Sequence, residues 1–145
     1  LIGEAAVPTT HRTIYRVHQR VVERFCHGRI CLVGAAAHLN NPLGGFGMNS
    51  GIHDVWSLAN VLAQALDGEH DAEALKQWDR QRHAVTHAFI PAQSMQNKRF
   101  IEQGPAGHDA RFAEMRATHD DPAKRRAYLL RQSMIQSLRD AADVA

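Results

Sequence analysis

Cysteine is scarce. Cys26 and Cys31 are the only two in 145 residues. Two cysteines do not make the disulfide framework of a small secreted domain, and a reducing cytoplasm is their natural setting. They also lack further ligands at the spacing of a tetrahedral metal site. No apolar run has the roughly 20 residues of a membrane-spanning helix, and no secretory leader is visible. Charge of one sign is missing too: 17 Lys and Arg are interspersed with 15 Asp and Glu, for a formal net charge of +2. That balance gives no electrostatic case for nucleic acid or for an anionic membrane surface. There are no internal repeats and no low-complexity tract. The chain opens on Leu1 rather than Met. It is expected to be a piece of something longer, one domain at most, with a modest core.

The informative residues are concentrated between Arg29 and Asp54. A short apolar run, Ile30 to Val33, has the length and composition of a buried strand. Small residues and Pro42 follow, and then Gly44-Gly45-Phe46-Gly47 runs into an amphipathic helix. That helix is predicted from about Gly47 to Leu66, with a glycine stop at Asp67-Gly68. Its apolar face reads Met48, Ile52, Val55, Ala59, Leu62 and Leu66. A strand, a glycine-rich turn and a helix N-terminus bring backbone close to a ligand and aim free N–H groups at it.

Three segments are expected around this stretch: residues 1–28 as a lead-in and short helix, 29–68 as the strand, loop and motif helix, and 69–145 as a C-terminal helical region. Residues 1–12 read as irregular, and Thr13 to Val17 as a short strand or a direct entry into the next segment. Val17, Val21, Val22 and Phe25 recur at helical spacing and predict about two turns of helix, stopped by Gly28. Downstream, Asp71 is an N-cap candidate with Glu73 in the first turn. Leu75, Trp78, Val85 and Phe89 mark the buried face of that helix, and Pro91 should kink or break it near Ile90. Gly104 to Gly107 should end it. A short helix is expected over Ala110–Thr118. Asp121-Pro122 then starts a last helix with Ala127, Leu130, Met134, Leu138 and Ala141 on one face. The fragment is mostly α, with about five helices and one or two short strands.

The string Gly34, Ala36, Ala37, His38, Pro42, Gly44, Gly45, Gly47 and Asn49, continued by Gly51 and Asp54, resembles the second flavin-contacting motif of the FAD-dependent aromatic hydroxylases typified by para-hydroxybenzoate hydroxylase. That family reads Gly-Asp-Ala-Ala-His, a few residues, Pro-x-Gly-Gly-x-Gly-x-Asn, then a helix. The flanks Arg16 to Phe25, Gly28-Arg29 and Trp78 to Arg82 fit more loosely. The resemblance covers about the last third of such an enzyme. It implies an α/β parent fold, FAD as cofactor, NAD(P)H as co-substrate, and oxygen transfer from a flavin C4a-hydroperoxide to an aromatic or related planar small molecule. It also implies the cofactor contacts: Gly47, Met48 and Asn49 at the flavin ring, Gly34 and Ala35 at the ribityl chain, and Pro42, Gly44 and Gly45 shaping the loop. Reduced flavin is anionic at its pyrimidine edge, and a helix N-terminus with about half a positive charge stabilises it there.

One residue departs from the pattern. The aspartate that bonds the ribityl chain in the family is Ala35 here. The Gly-x-Gly-x-x-Gly that holds the adenosine and pyrophosphate in the family is absent as well. As a separate chain this piece is therefore expected not to hold FAD, to expose apolar faces, and to self-associate or meet a missing N-terminal flavin-binding portion. The alternative is a non-catalytic fragment or helical interaction module. A reductase or halogenase sharing the flavin fold is a third reading, and a halogenase would need a catalytic lysine that the family carries in the missing part.

No catalytic acid or base and no metal ligand is nominated. His38 reads as a structural histidine in a small-residue loop, and His53 as facing solvent or a neighbouring element. His83 and His87 share a helix face but lack an acidic third ligand at a fixed neighbouring position. Trp78 and the Met48 stripe of the motif helix read as core rather than as a cofactor box, and Lys124-Arg125-Arg126 as a solvated face.

Overall fold

The computed structural model describes residues 10–14, 16–67 and 72–145. The expected lead-in over residues 1–12 lies mostly outside the described residues, as do Gly68 and the Asp71 cap. Two antiparallel ribbons of two-residue strands come first. β1 (Arg20–Val21) pairs with β4 (His38–Leu39), and nested between them β2 (Cys26–His27) pairs with β3 (Ile30–Cys31). Five helices follow: α1 (Phe46–Leu66), α2 (Ala72–Glu102), α3 (Gly104–Asp120), α4 (Pro122–Gln132) and α5 (Ile135–Ala142). The mostly α fold class and the five helices agree with the sequence reading; the strands are more numerous and much shorter than expected.

The predicted helix over Val17–Phe25 is not there. Its valines are β-branched and fit a pleated ribbon better than a helix. Gly28, at φ +62°, makes the tight turn between β2 and β3 instead of stopping a helix. The hairpin is held from outside by α2, where the Asp79 carboxylate accepts from the N–H groups of Phe25 and Cys26. The strand expected over Ile30–Val33 pairs only at Ile30 and Cys31. The cysteines also need correcting. Register places Cys26 directly opposite Cys31, and the two are joined in a disulfide, a single cross-link rather than a framework.

Phe25, Cys26, Ala37 and Trp78 form the core, with Val21, Val22, Leu32, Val33, Leu58 and Val61 packed against it. Phe25 and Trp78 meet edge to face at 6.1 Å between centroids. The indole N–H of Trp78 donates to Ser57 Oγ on α1 at 2.8 Å, so the buried ring keeps no orphan donor.

α1 begins and ends where the sequence placed it, but the opposite face is covered. Phe46, Ser50 and Asp54 are its buried residues. The apolar stripe faces outward: Met48 is 74% exposed, Leu66 88%, and Ile52, Val55 and Leu62 are exposed too, beside Trp56 at 72%. Periodicity shows which side of a helix is apolar, not what stands ready to cover it. The expectation that this chain exposes apolar faces agrees with this arrangement.

α2 runs unbroken through position 91, against the predicted break. One lost hydrogen bond is outweighed because the helix is packed on both sides of the proline, at Trp78, Arg82 and Val85 before it and at Gln93 and Ser94 after it. α2 ends at Glu102, just before the Gly104–Gly107 segment that was expected to end it, and that segment forms the first turn of α3, which is longer than the short helix expected over Ala110–Thr118. Asp121 caps α4 as predicted, its carboxylate accepting from the N–H groups of Ala123 (2.9 Å) and Lys124 (3.1 Å). The single last helix is corrected to two. Met134 adopts φ +61° between α4 and α5, which buries Met134 and Ala141 and leaves Leu138 exposed.

Candidate flavin-contacting groove

The entry to α1 is built from three successive local constraints. The Asn41 carboxamide oxygen accepts from the N–H of Leu43 at 3.1 Å, which tightens the turn through Pro42. The N–H of Gly45 then donates to the Pro42 carbonyl at 3.2 Å. Gly44 (φ +97°) and Gly45 (φ +70°) both occupy the left-handed region, and Gly45 is the N-cap of α1. A Cβ on Gly44 would overlap the Phe46 ring, which is itself buried edge-on against Phe89. Asn49 donates its side-chain N–H to the Gly45 carbonyl at 2.9 Å and so faces back toward the loop. The N–H groups of Phe46, Gly47 and Met48 make no hydrogen bond among the described residues, as the first turn of a helix requires.

Beside this helix start runs an open, largely apolar groove of about 780 Å³. Gly34, Ala35, Gly47 and Met48 line it together, with Gly51 and Trp56 further along. Half of the expected contact set is thus brought to one surface. Pro42, Gly44 and Gly45 sit on the loop that enters α1, Asn49 sits in the helix's first turns, and none of the four is part of the groove's lining.

The sequence reading noted Asp54 only as the end of a motif, and it missed what Asp54 holds. This residue is completely buried, one turn beyond Ser50 on the covered face of α1. Its Oδ2 accepts from the Gly34 N–H at 3.0 Å and lies 2.8 Å from His38 Nε2; its Oδ1 accepts from Arg82 Nε at 2.8 Å and lies 2.7 Å from the second guanidinium nitrogen. One carboxylate therefore ties the small-residue turn at Gly34–Ala36, the ribbon strand β4 and helix α2 to the body of α1. Burial pushes the Asp54 carboxyl up, but the His38 hydrogen bond, the Arg82 charge and the Gly34 N–H outweigh it and hold the group below the usual carboxylate range. With Asp54 ionised, His38 Nε2 is the donor of this hydrogen bond. His53 is half-buried on the same helix; burial first, then the Arg82 charge, hold its imidazole below its ordinary value against the pull of Asp54. A polar residue placed between apolar helix positions was the available signal for this cluster, and its partner Arg82 stood in the loosely matching flank.

The tie also explains Gly51. A Cβ there would lie 3.1 Å from the Gly34 Cα, closer than ordinary packing permits. Gly51→Ala should push the Gly34 turn off α1 and cost about 1 kcal/mol through overpacking, read as a lowered midpoint in urea unfolding. His83 and His87 stack at 5.6 Å between ring centroids, and among the described residues no group of three or more His, Cys, Asp or Glu could hold a metal.

The groove suits one end of a flavin. Its glycines leave room for a flat ring, its walls are apolar, and free N–H donors stand at one end for an anionic ring edge. Position 35, on the exposed rim, offers only a methyl group. A family model described as FAD binding domain matches residues 2–93. The chain belongs to this FAD-binding family. It is 32% identical over 121 residues to the para-nitrophenol 4-monooxygenase of Pseudomonas sp. strain WBC-3, covering 83% of this chain and 30% of that protein. Over 76 residues it is 45% identical to the 3-(3-hydroxy-phenyl)propionate/3-hydroxycinnamic acid hydroxylase 2 of Burkholderia vietnamiensis strain G4, covering 52% of this chain and 14% of the relative. Among solved structures, p-nitrophenol 4-monooxygenase from Pseudomonas putida DLL-E4 superposes at a TM-score of 0.71 with 30% identity, over 81% of this chain and 31% of that one. The chain spans under a third of each of these relatives' lengths. The FAD-binding match takes in both ribbons, the groove, all of α1 and the part of α2 that carries Asp79 and Arg82, and it stops before α3.

Proposed function

We propose that this chain is the flavin-edge-contacting part of a FAD-dependent monooxygenase that hydroxylates a small aromatic or related planar molecule with NAD(P)H and O₂. The observation that carries the reading is the juxtaposition of free N–H groups at Phe46, Gly47 and Met48 with a groove floored by Gly34, Gly47 and Gly51. The names of the relatives, a para-nitrophenol monooxygenase and a hydroxyphenylpropionate hydroxylase, support this reaction class. FAD, when bound, supplies the redox and oxygen-activating chemistry. The chain's own residues bind and orient. The start of α1 would offer its partial positive charge to the anionic edge of the ring, held by Gly47, Met48 and Asn49. Gly34 and Ala35 would hold the ribityl chain. Pro42, Gly44 and Gly45 fix the loop so that no side chain intrudes. Asp54, His38 and Arg82 hold these pieces in register and take no part in proton transfer. The cytoplasmic setting expected from two reduced cysteines loses that support, because Cys26 and Cys31 are joined in a disulfide. No helix among the described residues is long and apolar enough to cross a membrane.

The outward-facing apolar stripe of α1 and the methyl group at position 35 favour a second reading, a helical module that no longer binds FAD by itself. Titrating the ¹⁵N-labelled chain with FAD separates the two. Binding too weak to survive purification, with amide shifts concentrated at Gly34, Ala35 and Gly45–Asn49, is the expected result. Shifts scattered elsewhere, or none at millimolar FAD, would sink the flavin assignment and leave the interaction module.

A further inference from the structure

A second cleft lies between the C-terminal half of α2, the first half of α3 and the end of α4, mostly beyond residue 93, where the family match stops. Its volume is about 630 Å³, within the ordinary range for small-molecule sites. Three guanidiniums from three helices line it: Arg99, Arg111 and Arg131. Arg111 pairs with Glu114 at 2.8 Å and lies 5.9 Å over the Phe100 ring. Neither Arg99 nor Arg131 has a carboxylate within ion-pair distance among the described residues, so the lining carries three positive charges against one negative. Gln96 and Asn97 add amide donors and acceptors along one wall.

We propose that this cleft binds a small organic anion, a planar ring bearing a carboxylate or phosphate. The ring stacks against the Phe100–Arg111 platform, and the oxyanion takes the forked N–H donors of Arg99 and Arg131. A planar guanidinium offers paired N–H groups at the spacing of two oxygens of one oxyanion, which a lysine cannot do. The site is separate from the flavin-contacting groove but touches the same loop. Asn97 donates to the Leu43 carbonyl at 3.4 Å, and its Nδ2 lies 2.7 Å from where a Cβ on Gly44 would stand.

The test is a titration of the whole ¹⁵N-labelled chain with adenosine 5′-monophosphate and, separately, with sodium benzoate. Adenosine and benzyl alcohol are the neutral counterparts. Saturable shifts at Gln96, Asn97, Arg99, Phe100 and Arg131 are expected for at least one anion, and which one responds identifies the oxyanion. Arg99→Gln and Arg131→Gln should each weaken that binding by about tenfold or more, and added salt should weaken it further. Lys98→Gln and Arg126→Gln, exposed and outside the cleft, should change it little. Both glutamine variants at Arg99 and Arg131 replace exposed side chains, so folding is checked by their unchanged spectra. Failure of both anions to saturate, equal binding of the neutral counterparts, or equal affinity in the Arg99 and Arg131 variants would overturn the assignment. Because FAD itself carries an AMP moiety, an AMP response in this cleft is separated from the flavin reading by titrating riboflavin, which has no phosphate and should shift Gly34, Ala35 and Gly45–Asn49 alone.

Discussion

Asp54→Asn should cost this chain about 3–5 kcal/mol and leave it largely unfolded, because removing one partner of a buried ion pair strands the other charge. The guanidinium stranded here is Arg82, whose side chain is 3% exposed and whose remaining side-chain partner is Ser50 Oγ at 3.4 Å. A carboxamide could still accept from Gly34, but its NH₂ would face a donor wherever it turned. Arg82→Met in the same background should recover part of the loss by removing the unpaired charge. Full loss in the double variant would mean that the hydrogen bonds to Gly34 and His38, and not the charge, dominate. pH gives an independent check. The Asp54 carboxyl is held below its ordinary value in the folded chain. Its contribution is therefore fully present above the ordinary carboxylate pKa of about 3.9 and is lost as pH falls through the lower folded value. Urea midpoints of the wild-type chain should fall on acidification below about pH 4, while those of the double variant should lose that component.

How much of this was legible in the residues differs from element to element. The start of α1 was readable because glycine and proline act locally: Gly44 and Gly45 take left-handed conformations that other residues resist. The α4 start was readable for the same reason, since an aspartate followed by proline carries its own cap. Val17, Val21, Val22 and Phe25 misled because i, i+4 spacing over so short a stretch also fits two turns of ribbon, and the deciding partner, Asp79, lies more than 50 positions away. Pro91 misled in the other direction: its local cost is real, but the packing that offsets it sits on α1 and the hairpin. The outward stripe of α1 shows the same limit. Met48, Ile52 and Val55 are apolar in the sequence, and only the three-dimensional arrangement shows that Ser50 and Asp54 face the core in their place. The glycines of the groove were found from their pattern; the carboxylate that holds the groove in shape was not, because its partners lie far along the chain, Gly34 and His38 before it and Arg82 28 positions after it.

The residue that breaks the family pattern gives the most direct test of the groove. Ala35 is exposed on the rim, within a single 3₁₀ turn tied to Asp54 through its neighbour Gly34. Restoring the acidic side chain with Ala35→Asp adds a carboxylate where the resemblance puts the ribityl hydroxyls. A hydrogen bond to a charged group contributes about 1.5–3 kcal/mol, so FAD should bind roughly tenfold to a hundredfold more tightly. Folding stability should barely change, because the position is open to solvent and Asp54 is already satisfied. The improvement should be the same for FAD, FMN and riboflavin, since all three carry the ribityl chain and only FAD carries the adenosine. An improvement confined to FAD would place residue 35 near the pyrophosphate instead. No improvement for any of them would mean that the groove beside Gly34 is not where the ribityl chain runs, and the contact set at Gly34 and Ala35 would fall while that at Gly47–Asn49 could stand.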